Sequence, residues 1–190
     1  MNEKEITTLK KTKTSIAHCP SSNLKLASGI ANIPYYLKKG INISLGADGA
    51  PCNNNLNQFQ EMKLAALIQK LLHGETSMPS DKVFELATIN GAKALGLENE
   101  IGSLESGKKA DIVFLDLNNV WNSYGSDSIY SNIVYSASQE NIHSVIIDGK
   151  WVFKNKEFIS LDIENTSQGE TVKSTREKDS VFSKKYKEKF

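Results

Sequence analysis

A chain of 190 residues with 39% hydrophobic content is long enough to bury a core, as one globular domain or as two small ones. Its 23 basic and 22 acidic residues lie mixed along most of the chain and leave a net charge of +1, which disfavours nucleic acid and anionic membranes as partners. No run of about 18 apolar residues occurs, and the charged start MNEKEITTLKK has no apolar stretch behind it, so neither a membrane span nor a signal peptide is readable. The expected address is the cytoplasm, where Cys19 and Cys52, which form no CxxC pair, stay reduced thiols.

In chain order, Glu3 to Lys11 reads as a short helix with Ile6 and Leu9 on one face, followed by a β-type run from Thr14 to His18. Cys19-Pro20-Ser21-Ser22-Asn23 then reads as a turn, because proline cannot continue a central ladder and serine and asparagine satisfy turn backbone groups. Asn32 can cap a helix with Pro34 in its first turn, and Gly40 can close it in the left-handed region. A second strand, Ile41 to Asp48, carries a lone carboxylate at its end. Leu64, Leu67, Ile68, Leu71 and Leu72 then fall at the i, i+3, i+4, i+7, i+8 spacing of an amphipathic helix that Gly74 ends. Ser80 can cap another helix through Val83, Leu86, Ala87, Ala94 and Leu95, with Gly96 as its stop.

This alternation of strand and helix predicts an α/β unit over residues 1–98 with a parallel sheet. After it the pattern changes to short β runs at Asp111 to Leu117, Ser144 to Asp148 and Trp151 to Phe153, with Asp148-Gly149 as a hairpin turn. Residues 99–160 are therefore expected as a small β unit. Residues 161–190 are polar and charge-mixed, and read as a tail or a loosely docked helix.

The residue with the clearest chemical potential is Asp48, since functional groups of α/β folds gather beyond the carboxyl ends of parallel strands. A carboxylate there could ligate a divalent metal and take a proton from the water that the metal activates. It could equally cap the next helix or brace the Gly46-Ala47-Asp48-Gly49 turn. His18 ends the neighbouring strand, so it could line the same cleft and touch substrate, or could brace the turn. His73 and His143 carry no motif; the first reads as a helix-end residue favourable to the dipole. Cys19 beside His18 is not expected to form a nucleophile and base pair, because strand neighbours point to opposite faces. The Asn53-Asn54-Asn55 run lacks the spacing of a phosphate-binding loop.

The segments His18-Cys19-Pro20-Ser21-Ser22-Asn23-Leu24-Lys25-Leu26-Ala27-Ser28-Gly29 and Gly40-Ile41-Asn42-Ile43-Ser44-Leu45-Gly46-Ala47-Asp48-Gly49 together resemble the amidohydrolase superfamily. So do Asn53-Asn54-Asn55-Leu56 with Glu61-Met62, the run from Ala87 to Leu97, and the run from Ile101 to Val113. The nearest branch by these motifs holds methylthioadenosine/S-adenosylhomocysteine deaminases, triazine hydrolases and guanine deaminases. The resemblance implies the last strands of a metal-dependent (β/α)8 barrel, followed by part of a small β-sandwich. It maps Asp48 onto the final metal ligand and proton acceptor. It implies zinc, or iron or manganese, and deamination of a purine or related heterocycle by metal-bound hydroxide, with dechlorination of a triazine as the alternative. The family's HxH pair and its histidines on the fifth and sixth strands have no counterpart in this chain. Metal binding by the chain alone is thus expected to be weak or absent. The chain would be either a non-catalytic remnant or one half of a split protein, prone to self-association or completed by a missing N-terminal segment.

Overall fold

The computed structural model describes residues 1–118 and 128–159. The first helix, α1 (Glu3–Thr12), begins at a capping box in which Asn2 and Glu5 satisfy each other's backbone amides, and Lys13 ends it in the left-handed region. Strand β1 (Ile16–His18) follows, and then α2 (Pro20–Lys25), α3 (Ile33–Lys38) and β2 (Ile43–Leu45). The expected turn after His18 is in fact helical. Pro20 stands in its first turn, where a missing N–H costs nothing, so the same proline that ends the strand starts the helix. Asn32 caps α3 as expected, its side chain accepting from the Tyr35 N–H, and Gly40 has φ of +80°.

Strands β1 and β2 pair in parallel, Ile16 with Ile43 and His18 with Leu45. The second strand is shorter than the sequence suggests: Asp48 stands beyond it with φ of +62°, a turn conformation that ends the ladder. A short helix α4 (Ala50–Asn53) and the long α5 (Gln58–His73) come next, then α6 (Ser80–Ala87) and α7 (Ile89–Ala94). The single helix expected from Ser80 to Leu95 is broken at Thr88, whose ψ of −99° departs from helical values, and Pro79 rather than Ser80 occupies the cap.

Helix α5 differs most from expectation. Its leucine stripe does not face the core: Leu67, Leu71 and Leu72 are 45%, 85% and 50% exposed, while Glu61, Met62, Ala65, Ala66 and Gln69 are buried. A helix with apolar residues on more than one face has the right period and no unique inward side. Ala65 and Ala66 settle the choice, because only small side chains let α5 approach β2 and α6 closely. The core so formed centres on Ile33, Ile41, Ile43, Met62, Val83 and Leu86. Each large apolar side chain fully buried there contributes roughly 1.5–3 kcal/mol.

The β unit is a four-stranded antiparallel sheet in the order β3 (Ile112–Leu115), β4 (Ile142–Ile147), β5 (Lys150–Lys154) and β6 (Glu157–Phe158). Asp148 and Gly149 both have positive φ, 49° and 74°, as the hairpin reading requires. An additional helical segment, α8 (Ile129–Ser131) continued by Asn132–Ser136, leaves the sheet and docks Ile133 and Val134 onto α5 and α6, in the core of the first unit. The expected tail at 161–190 lies outside the described residues.

Two substitutions check the orientation of α5. Leu71→Glu should change stability by no more than about 0.5 kcal/mol, as an exposed position does. Ala66→Leu should cost roughly 1–3 kcal/mol by overpacking. Urea unfolding of both variants reads the difference, and a severe loss in the Leu71 variant alone would reverse the assignment of faces.

Candidate active site

Parallel pairing sets the ends of β1 and β2 side by side, and the Gly46 N–H donates to the His18 carbonyl at 2.9 Å. A Cβ at Gly46 would lie 3.2 Å from the Cys19 sulfur, so a larger residue there would make the Cys19 side chain shift. Two segments therefore leave the sheet together, Cys19 with the start of α2 from one strand and Asp48 with Gly49 from the other.

The Asp48 carboxylate is exposed, and both of its oxygens are held. Ser22 Oγ donates to Oδ2 at 2.6 Å, and the Gly49 N–H donates to Oδ1 at 2.7 Å. These two bonds, the serine first, hold its carboxyl below the usual aspartate value, and the Cys52 thiol adds to the effect. At neutral pH Asp48 is thus an anion of fixed orientation, with lone pairs to spare on each oxygen. The Asn53 side chain donates to the Ala47 carbonyl at 2.7 Å and so fixes the peptide that leads into Asp48.

His18 is only 5% exposed and borders a shallow hollow with Pro20, Asn23, Leu24, Ile30 and Ile68. Burial pushes its pKa down from 6.5 to about 4, against a smaller opposing pull from the nearby Glu61 carboxylate. The imidazole is therefore neutral at pH 7. Cys19 is half-buried and its thiol pKa is raised, first by burial and then by the charge of Asp48, so it is no thiolate nucleophile. His73 ends α5, exposed, as the sequence suggests. His143 lies on β4, its ring Nδ1 2.9 Å from Ser144 Oγ, and takes no part in the site.

Among the described residues, no three of His, Cys, Asp and Glu come together to hold a metal ion. Asp48 alone fits such a role, as a single anionic oxygen ligand. No helix among them is long and apolar enough to cross a membrane.

Residues 1–152 match the amidohydrolase family. The chain belongs to that family. It is 42% identical over 165 residues to a 5-methylthioadenosine/S-adenosylhomocysteine deaminase of Moorella thermoacetica, covering 86% of this chain and 38% of the relative. A zinc-bound adenosine deaminase from Xanthomonas campestris superposes with a TM-score of 0.83 at 34% identity, over 88% of this chain and 39% of that one. The guanine deaminase of E. coli does so with a TM-score of 0.74 at 30% identity, over 81% and 37%. The chain thus spans less than two fifths of the length of the relatives it matches.

Ser22 bonds to Asp48, and Asn53 to the Ala47 carbonyl and to Glu61. All three lie within the segments that resemble the amidohydrolase superfamily, but that they meet around Asp48 is a matter of tertiary contact.

The lowered His18 pKa gives a pH dependence of known sign. Because the folded state disfavours the charged imidazole, the chain should lose stability as pH falls from about 6.5 toward 4, with no contribution from this group above 6.5. Urea unfolding between pH 4 and 7 should show that decline in the parent chain and a flatter profile in His18→Gln. An NMR titration placing His18 near its ordinary value would contradict the assignment.

Proposed function

We propose that this chain supplies the Asp48-bearing part of a metal-dependent hydrolase that removes the amino group of a purine or a related heterocycle. One observation carries the reading: in an amidohydrolase-family chain, an exposed carboxylate stands just past the carboxyl end of a parallel strand, oriented at both oxygens and kept ionised. In this reading β1 and β2 are the last strands of a (β/α)8 barrel, and β3 to β6 form part of a β-sandwich. Asp48 is a ligand of a divalent ion, zinc as in the Xanthomonas campestris relative, or iron or manganese. When bound, that ion supplies an activated water. Asp48, in the ionised state that Ser22 and Gly49 favour, would be the proton acceptor of such a site. His18, at the end of the neighbouring strand, is the proposed substrate contact. Being neutral, its imidazole offers a hydrogen bond to a ring nitrogen rather than a charge. The relatives' adenosine-type and guanine substrates define the class. Two free thiols favour a reducing, cytoplasmic compartment.

A catalytic zinc normally takes three protein ligands, and the described residues bring one. The others come, on this proposal, from more of the same polypeptide or from a partner chain, and residues 1–190 by themselves are non-catalytic.

The test is to measure bound zinc, and ammonia release from 5-methylthioadenosine, adenosine and guanine, with the chain alone and co-expressed with an HxH-bearing N-terminal segment of a relative. Metal and turnover should appear only in the second case, and Asp48→Asn should then lower kcat/KM by about 10²–10⁴-fold. Stoichiometric zinc with turnover in the chain alone would overturn the incomplete-site reading, and unchanged turnover in the Asp48 variant would remove Asp48 from the chemistry.

A further inference from the structure

Glu61, in the first turn of α5, is 0% exposed and lies on the face that also buries Met62, Ala65 and Ala66. Withdrawing a carboxyl group from water is costly unless its oxygens find donors. Both do: Oε2 accepts from the Ser21 N–H at 3.1 Å, and Oε1 accepts from Asn53 Nδ2 at 2.7 Å. Among the described residues no lysine forms an ion pair with it. The group is held instead by hydrogen bonds from the start of α2 and the end of α4.

Each of those donors leads to Asp48. Ser21 precedes Ser22, whose hydroxyl donates to Asp48 Oδ2. Asn53 Nδ2 also donates to the carbonyl of Ala47, whose peptide enters Asp48 at a left-handed φ of 62°, a conformation uncommon outside glycine though more accessible to aspartate than to most residues. Asn53 Oδ1 accepts from the Asn55 and Leu56 amides, at 3.2 Å each, so the asparagine itself cannot swing away.

We infer that Glu61 is the positioning residue of Asp48: one buried carboxylate clamps the start of α2 and the Asn53 side chain, and through them fixes Ser22 and the Ala47 peptide around the Asp48 carboxylate. For stability alone, a well-packed apolar residue at such a site does as well or better. What the carboxylate adds is two acceptor positions that tie together segments 40 and 8 residues away in sequence. The inference rests on the proposed function only for the importance of Asp48, and not for the geometry.

Glu61→Gln keeps the shape but turns one acceptor into an NH2 group facing a donor, so one arm of the clamp must open. In 1H–15N spectra of the full chain, the Gly49 amide, bonded to Asp48 Oδ1, should move upfield in this variant and exchange with solvent at least about tenfold faster, a loss typical of an opened local hydrogen bond. Amides of the β4–β5 hairpin should not change. Ser22→Ala should displace the Gly49 signal by itself, and Glu61→Gln added to it should displace the signal by less than it does in the parent chain, because one arm is already gone. If Glu61→Gln does not fold, Asn53→Ala opens the second arm alone and should displace the same signal. A parent-like Gly49 amide in whichever of these two variants folds overturns the inference, as does an equal acceleration across the hairpin, which is what a merely structural role would give. In the completed enzyme Glu61→Gln should lower kcat by about 10–100-fold with KM little changed. A displaced Gly49 amide with unaltered kcat upholds the clamp and sinks instead the assignment of Asp48 to the chemistry.

Discussion

Two strands of three residues each, lying parallel, are the constraint on which the rest of the site depends. Parallel pairing demands a crossover, and the crossover here is built from α2 and α3, which must leave β1 on the side from which β2 returns. The consequence is that Cys19 to Ser22 and Asp48 to Gly49 emerge at the same end of the sheet. So short a ladder has few hydrogen bonds of its own to hold register. The neighbouring helices do that work, with Ile33, Ile43, Val83 and Leu86 buried completely or nearly so around it.

Within this frame, burial and hydrogen bonding push two titratable groups to opposite outcomes. His18 is enclosed and loses its charge, because the desolvation of an imidazolium outweighs the attraction of Glu61. Asp48 is exposed and keeps its charge, because Ser22 and Gly49 donate to it. On the proposed function, the neutral ring would orient substrate and the fixed anion would accept a proton. Glu61 underlies both, lying near the ring and holding the loops that hold the anion.

The sheet of β3 to β6 and the leucines of α5 have a different character. Val113, Phe114, Ile147 and Trp151 are about half exposed, as are Leu67 and Leu72, while Leu71 is more so. The sheet shares little with the Asp48 site, which draws its residues from 18 to 61. The helical segment through Ile133 and Val134 instead belongs to the core behind β2, so the chain crosses from the sheet back to the helices before completing its hairpin.

Much of this organisation could be read from residue order. Helix starts at Asn32 and stops at Gly40, Gly74 and Gly96 follow from capping chemistry that acts over three or four residues, and the Asp148-Gly149 hairpin follows from φ preferences of two. The motifs around His18 and Asp48 pointed to the amidohydrolase family. What only the tertiary structure decided is which surfaces meet. Periodicity marked α5 as a helix but pointed its leucines inward, whereas close approach to β2 selected the alanine face. The segment after His18 is a helix whose first-turn Ser21 amide bonds a buried carboxylate from 40 residues away. Local preference is a property of neighbours in sequence and so is legible there. The clamp on Asp48 joins Ser21, Asn53 and Glu61 through space, and only the folded chain brings them within hydrogen-bond range.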